Sequence, residues 1–464
     1  MKSLELRVIM DKINGRLFNG SNRYIVNDLV TRTHRLQNGS LLLDIYKEKD
    51  LTLIKNSEKI KCSIVTDTPC SFLGLGENIT IIKVPDIREA AWDFIEYYRS
   101  LFTIPIIGVT GTCGKTTTKE MIKHILSRKF KIKSTYKSYN SLFRNLGYLM
   151  EIDDQTEAAV YEMGVAYPKD LKTSCRFFKP QVGVITNIGI DHIQGCKTLE
   201  DYIQCKAEFL EGLGFEGCLV LNGDDENIKK MDLVPYRGRV LYFGVGENTQ
   251  FKVLDIRAVE NGHNFKIQHE DKIYDFFIPG LGEFNVYNAV AAIAASYAVG
   301  VDIKEAGDSL LSFKHIEKHL AMDPGILGST IIDDTWSSNP TSAEAALRLL
   351  KSVSQGKKTI AVLGKMSLLG EDSAKYHFRV GEIVAENGIN TLLVNGYKAN
   401  EIGLGAIKAG MKEENIHFCL DANESYKILK NYLDENTIVL VKTSMLDSYG
   451  SFIDKILLAR QEGS

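Results

Sequence analysis

The chain is poor in the features that would send it out of the cell, into a bilayer or onto a polyanion. Its longest mostly apolar run, Ala289 to Val301, is too short to span a membrane and holds Ser and Tyr, so no membrane insertion is expected. Lys2, Glu5, Arg7, Asp11 and Lys12 interrupt any apolar start, so no signal peptide is expected and the cytoplasm is the expected compartment. Eight cysteines form no C-x-x-C and no His-paired zinc spacing, which points to reduced thiols. A formal charge of −3 gives no general pull toward nucleic acid. Internal repeats and low-complexity segments are lacking too.

What remains is an ordinary globular composition, 44% hydrophobic and 25% charged, over 464 residues. That length is too great for one core and predicts two or three domains. Residues 1–102 read as a small α/β domain, with strand-like pieces at Ser40 to Ile45, Leu51 to Ile54, Cys62 to Val65 and Ile79 to Val84, then a helix from Ile87 to Leu101. Here Arg32 and Arg35 read as a solvated face rather than a ligand site. Residues 103–312 alternate strand and helix, the signature of a parallel sheet with crossover helices. Its strands are Ala158 to Met163, Val182 to Thr186 and Cys218 to Leu221, followed by a β-meander between about 239 and 278 and a helix from Val286 to Val299. Residues 313–464 alternate again and predict a doubly wound, Rossmann-like domain. Strands are expected at Thr330 to Asp333, Thr359 to Leu363, Thr391 to Val394, His417 to Leu420 and Thr437 to Val441. Helices are expected at 342–352, 374–387, 399–409 and 424–433, and Thr341 with Glu344 reads as a capping box for the first.

Chemistry concentrates in Ile104 to Met121, IPIIGVTGTCGKTTTKEM. An apolar strand runs into a loop holding Gly108, Gly111 and Gly114, then Lys115, Thr116 and Thr117, and then a helix marked by Met121, Ile122, Ile125 and Leu126. Glycines admit backbone N–H groups to a phosphate, the helix N-terminus adds partial positive charge, and the lysine adds a full one. Five residues separate Gly108 from Gly114, one more than the standard P-loop. ATP or GTP binding is expected, with the Thr116 hydroxyl placed to ligate Mg²⁺. Cys113 inside this loop is a candidate reactive thiol, with no sign of nucleophilic catalysis. No N-K-x-D motif and no ABC-type signature accompany the loop.

Ligands of open parallel sheets gather at the carboxyl ends of the strands. The next two strands end at Glu162 and at Thr186-Asn187, with Asp191 and His192 just beyond, and a Mg²⁺-nucleotide site uses such oxygen and nitrogen groups.

The motifs GVTGTCGKTTTKEM, VYEMG, ITNIGIDHIQ, CKAEFLEGL, LNGDD, LGEFNVYNAVAAIAAS, IDDTWSSNP and AVLGKMSLLGEDSAKYHFRVGE follow in this order over roughly residues 100–460. In that order they resemble the Mur ligases, and most nearly those that join D-alanyl-D-alanine to a UDP-N-acetylmuramoyl tripeptide. The resemblance implies three domains: one for a UDP-sugar, a central ATPase, and a C-terminal domain bringing an amino acid or dipeptide amine. It implies an ATP-dependent amide ligase acting through an acyl phosphate, monomeric, in peptidoglycan precursor synthesis. It also assigns roles: Gly111, Thr112, Gly114, Lys115, Thr116 and Thr117 to the phosphates, Thr116 and Glu162 to a first Mg²⁺, and His192 to a second. Lys206 falls where the family carries a carbamylated lysine that helps bind that metal. Asn285 and Asn288 should border the adenine, and Asp334, reaching from another domain, the ribose.

Departures from the family pattern cluster on the substrate side. Trp336 and Ser337 replace Tyr and Asn, Lys318-His319 replaces Gly-Arg, Lys365 replaces Asp, Met445 replaces Arg and Phe284 replaces His. The N-terminal domain keeps only traces of the UDP-sugar segment, around Thr31-Arg32 and Gly39-Ser40-Leu41. Three readings therefore stay open: a divergent peptidoglycan ligase, a similar ligase with a different carboxylate or amine in a side pathway, and a non-catalytic nucleotide-binding paralogue.

Overall fold

The computed structural model describes residues 1–48, 60–72, 74–75, 78–314, 316–444 and 450–458. The expected strand Leu51 to Ile54 and Met445 lie outside the described residues. The fold is mixed α/β with largely parallel sheets and falls into two compact units.

The first unit comprises Met1–Ile106, Lys129–Tyr161 and Thr173–Pro180. Its five-stranded sheet runs Arg16–Asn19, Ile79–Lys83, Cys62–Thr66, Ser40–Leu43, Asp28–Val30. All neighbours are parallel except the first pair. Val30, Leu42, Ile64, Phe72 and Ile81 form its core. Helix Ile87–Ser100 starts where Asp86 accepts hydrogen bonds from the Arg88 and Glu89 amides, satisfying donors that a helix leaves orphaned.

The second unit holds two sheets. Seven strands of the first run Lys272–Pro279, Gly262–His269, Phe251–Val259, Arg239–Gly244, Cys218–Asn222, Val182–Ile185, Ile106–Thr110. The last four are mutually parallel, and Val182–Ile185 and Ile106–Thr110 are buried along their whole length. That explains their uninterrupted apolar text: strands covered on both faces have no wet side to alternate with. The meander is the antiparallel ribbon 251–279. Arg239–Gly244, expected within the meander, instead extends the parallel sheet beside Cys218–Asn222. Helix Phe284–Ala298 carries buried Ala289, Ala291, Ala292, Ala294 and Ala295, small residues that bring it close to helix Lys115–Leu126 and the sheet.

The second sheet is six-stranded, in the order Ala321–Pro324, Thr330–Asp334, Thr437–Lys442, Lys358–Leu363, Thr391–Asn395, Ile416–Cys419, with only the first pair antiparallel. Successive strand residues serve opposite faces. Ile332, Ala361, Leu363, Leu392, Val394, Ile438 and Leu440 pack under helices Pro340–Val353, Ser373–Glu386 and Asn400–Lys408. Ile331, Ile360, Val362, Leu393, Val439 and Val441 pack under Ala422–Leu429 and Gly450–Ile456. This sheet is doubly wound. Its first helix corrects one expectation, because the capping box joins Asn339 and Ser342 with Pro340 at the first helical position. Thr341 turns away, and its hydroxyl accepts a hydrogen bond from the Ile190 amide at 2.9 Å.

Candidate nucleotide and metal site

Strand Ile106–Thr110 delivers the chain into the loop 111–114, and helix Lys115–Leu126 leaves it. Two glycines make this turn possible. Gly111 has φ +146° and Gly114 φ +79°, conformations that a Cβ penalises. A Cβ on Gly111 would sit 2.0 Å from Thr186 Oγ1, and one on Gly114 2.3 Å from Asn288 Oδ1.

The loop is clamped by the end of the neighbouring strand. Thr112 N donates to Asn187 O at 2.9 Å, Cys113 N donates to Asn187 Oδ1 at 2.9 Å, and Thr186 Oγ1 donates to Cys113 O at 2.6 Å. The Thr112 hydroxyl accepts from Gly189 N at 2.8 Å. The sequence placed Thr186 and Asn187 beside the site, but their work as a clamp needed the register of two parallel strands. Fixed loop carbonyls leave the first-turn amides of a twelve-residue helix facing outward from Gly114, a ready anion site. Lys115 Nζ lies over the loop, donating to Gly111 O at 2.9 Å and Thr112 O at 2.8 Å. Thr117 is buried in the first turn.

Beside the loop the Met163 amide donates to Val109 O at 2.8 Å, which brings the end of strand Ala158–Glu162 alongside. Buried Glu162 thereby reaches Thr116, whose Oγ1 donates to Glu162 Oε2 at 2.8 Å. Two oxygen groups at this distance fit Mg²⁺, which takes few protein ligands and completes its shell with phosphate and water. Among the described residues no three His, Cys, Asp or Glu side chains converge as a self-sufficient metal cage. Thr116 and Glu162 would therefore hold such an ion together with a phosphate.

Lys206 reaches the same strand end from the other side. It sits on helix Leu199–Gly212, whose start is capped by Thr198. Its side chain is 1% exposed. The ammonium donates to Thr110 Oγ1 at 3.1 Å and lies 4.8 Å from the centre of the Tyr202 ring. Burial, reinforced by the charge of Lys115, pushes its pKa down to about 7. Near neutrality much of this amine is unprotonated and nucleophilic. His192 takes a left-handed backbone (φ +53°), with Nε2 3.9 Å from Asp191 Oδ2. Burial lowers its pKa, so the imidazole is neutral and has a nitrogen lone pair to offer. The same effect corrects the reading of Cys113, because burial pushes this thiol up to about 11 and suppresses the reactive thiolate.

The remaining predicted residues are placed differently. Asn288 is buried against the loop and accepts from Thr118 Oγ1 at 3.3 Å, while Asn285 Nδ2 donates to Leu281 O at 2.7 Å. Asp334 is held within the six-stranded sheet by an ion pair to buried Lys442, which also donates to Ser337 O at 3.0 Å. The side chain that this sheet's first helix brings to the loop is Asn339. Its Oδ1 accepts from Cys113 Sγ at 3.7 Å, and its Nδ2 donates to Asp191 Oδ2 at 3.2 Å. Only its place in a motif drew notice to Asn339 in the sequence, and nothing local announces a contact 226 residues away. Of the departures from the family pattern, Trp336 stacks on His319 with ring centroids 5.8 Å apart and an interplanar angle of 25°.

Comparison with known proteins identifies the family. The Mur ligase middle domain matches residues 109–296, and the Mur ligase glutamate ligase domain matches 324–445. The UDP-N-acetylmuramoyl-tripeptide–D-alanyl-D-alanine ligase of Bacillus subtilis is 30% identical over 368 residues, covering 79% of each chain. Among solved structures, MurF from Acinetobacter baumannii superposes with a TM-score of 0.85 at 21% identity, covering 98% of both chains. MurF from Thermotoga maritima, solved in complex with ADP, gives 0.78 at 20% identity over 94% of this chain and 98% of that one. The chain belongs to the Mur ligase family of ATP-dependent, C–N bond-forming ligases.

Proposed function

We propose that the chain joins D-alanyl-D-alanine to a UDP-N-acetylmuramoyl tripeptide in cytoplasmic peptidoglycan precursor synthesis, with residues 1–102 holding the UDP-sugar, 103–312 the nucleotide and 313–464 the incoming dipeptide. The substrates are supported by the 30% identity to a D-alanyl-D-alanine ligase over 79% of the chain, and the ATP chemistry by the convergence of Lys115, the Thr116–Glu162 pair and Lys206 on one strand end. Such a site has little covalent work to do. It must neutralise charge on a transferring phosphoryl group and hold carboxylate and amine in line.

Each side chain then has a task. Lys115 leaves the loop carbonyls to meet the β- and γ-phosphates above the first-turn amides. Thr116 and Glu162 would hold one Mg²⁺, which would supply Lewis acidity at the phosphoryl oxygens. Lys206, unprotonated and buried, is suited to take up CO₂. The resulting carbamate, with neutral His192, would offer a second Mg²⁺ an oxygen and a nitrogen. Asn285, Asn288 and Asp334 would complete the nucleoside side. A nucleotide there must draw Asp334 from Lys442, or use the pair as it stands.

The His319–Trp336 stack favours a second reading, in which the same chemistry serves another amine. An aromatic plate in place of the family's Gly-Arg and Tyr changes what lies beside the incoming substrate. Phosphate release with ATP and Mg²⁺ across candidate carboxylate and amine pairs decides between them. Turnover only with UDP-muramoyl tripeptide and D-alanyl-D-alanine is the expected result. Turnover only with another pair would replace the substrate assignment, and none with any pair would overturn the enzymatic reading.

A further inference from the structure

Two of the eight cysteines meet directly behind the site. Cys196 ends the short helix Ile193–Cys196, and its amide donates to His192 O at 3.1 Å. Cys205 lies on helix Leu199–Gly212 and precedes Lys206 in the chain. Their sulfurs are 3.4 Å apart, and the residues are 1% and 3% exposed. Cys196 Sγ also donates to Ala166 O at 3.8 Å, on the segment that follows Glu162. The contact therefore touches the backbone neighbourhoods of His192, Lys206 and Glu162 at once.

We propose that Cys196 and Cys205 form a reversible disulfide that switches the ligase off. Two thiol sulfurs in van der Waals contact need close only to the bonded distance of about 2.05 Å, so the bridge requires an approach of roughly 1.3 Å. Burial selects a small oxidant, and hydrogen peroxide meets that need. One sulfur attacks the O–O bond, which breaks to release water and leave a sulfenic acid. The second sulfur attacks the first, the S–O bond breaks, and a second water departs. Two thiols and one peroxide thus give one disulfide and two waters, and exchange with a dithiol reductant restores both thiols.

The effect on the site follows from leverage. Cys196 is four residues from His192 and Cys205 is one residue from Lys206, so an approach of this size is transmitted to both. Displacements of about 1 Å in a reacting site cost on the order of 10²-fold in rate. This activity argument rests on the proposed placement of His192 and Lys206 in the site, whereas formation of the bridge does not.

The test treats the full chain with hydrogen peroxide, blocks free thiols, and maps peptides by mass spectrometry without reduction. A peptide pair joined through Cys196 and Cys205 is expected, with phosphate release falling by roughly 10- to 100-fold and returning on addition of dithiothreitol. Mg²⁺-ADP binding is the second readout, expected to weaken at least about tenfold in the bridged protein and to report even if no substrate pair turns over. Cys196→Ala and Cys205→Ala should each keep the reduced activity and lose the peroxide response. Absence of the bridged pair after the other thiols are oxidised would overturn the proposal. So would a bridged protein with unchanged activity and binding, or a peroxide response that survives in both variants.

Discussion

Replacing Lys206 with methionine should stabilise the protein while abolishing its turnover. The side chain is 1% exposed, its ammonium donates to Thr110 Oγ1 beside the Tyr202 ring, and the attraction of Asp191 is outweighed by burial and the charge of Lys115. With a folded pKa of about 7 against an ordinary 10.5, and about 1.4 kcal/mol for each unit of pH, keeping this group in the fold costs on the order of 4 kcal/mol near neutrality. Methionine has similar length and carries no charge, and it forfeits one hydrogen bond worth about 1 kcal/mol. A net gain of roughly 2–3 kcal/mol at pH 7 is expected from these terms. The sign of the pH dependence is fixed. Between pH 7 and 10.5 the unfolded chain holds a proton that the fold has released, so wild-type stability attributable to this group rises with pH across that window. The gap between the variant and the wild type should accordingly close as pH 10 is approached. Urea denaturation of both proteins from pH 6.5 to 10, in EDTA and in buffer stripped of CO₂, measures it. A variant less stable than wild type at pH 7, with a gap that does not change up to pH 10, would refute the reasoning. Turnover by the variant near the wild-type rate would separately remove Lys206 from the chemistry.

Lys115→Ala should lower phosphate release by at least about 10²-fold, the usual cost of losing one positioned donor in such a site; near-normal turnover in steady-state kinetics would sink the nucleotide assignment. Gly114→Ala places a Cβ 2.3 Å from Asn288 Oδ1 at φ +79°, so Mg²⁺-ADP affinity measured by calorimetry should fall by 10-fold or more, with about 1–2 kcal/mol of stability lost to the left-handed backbone alone. Lys442→Met leaves Asp334 buried without its cation, which should cost about 3–5 kcal/mol by urea denaturation. Adding Asp334→Asn to that variant should recover part of the loss, and no recovery would mean that the pair is not the source.

Much of the architecture was written locally. The apolar texts of Val182–Ile185 and Ile106–Thr110 read as strands because both faces are covered. The strands of the six-stranded sheet were legible as apolar runs, and only their packing sorts successive residues onto opposite faces. The glycine loop with Lys115 and Thr116 was legible for a similar reason: anion binding by a helix N-terminus needs only a contiguous segment. Boundaries were less secure where two starts compete. Thr341 and Glu344 have the text of a capping box, yet Asn339 takes the cap with Pro340 following, and the Thr341 hydroxyl is drawn to Ile190. Arg239–Gly244 carries no mark that it would lie parallel between Cys218–Asn222 and the first strand of the ribbon.

What the chain alone determined, then, is a set of elements and one phosphate loop, since those depend on spacing over a few residues. Tertiary structure decided the state of the groups around the loop. Lys206 reads in the sequence as one lysine in a helix, and only enclosure by Tyr202, Thr110 and the charge of Lys115 brings its pKa down to about 7. Cys113 reads as a candidate reactive thiol in the loop, and burial suppresses it. Asn339 and Cys113 are 226 residues apart in the chain and meet because one sheet's first helix starts at another sheet's loop. Desolvation and long-range contact are properties of the packed volume around a group, and no local pattern of residue types carries them.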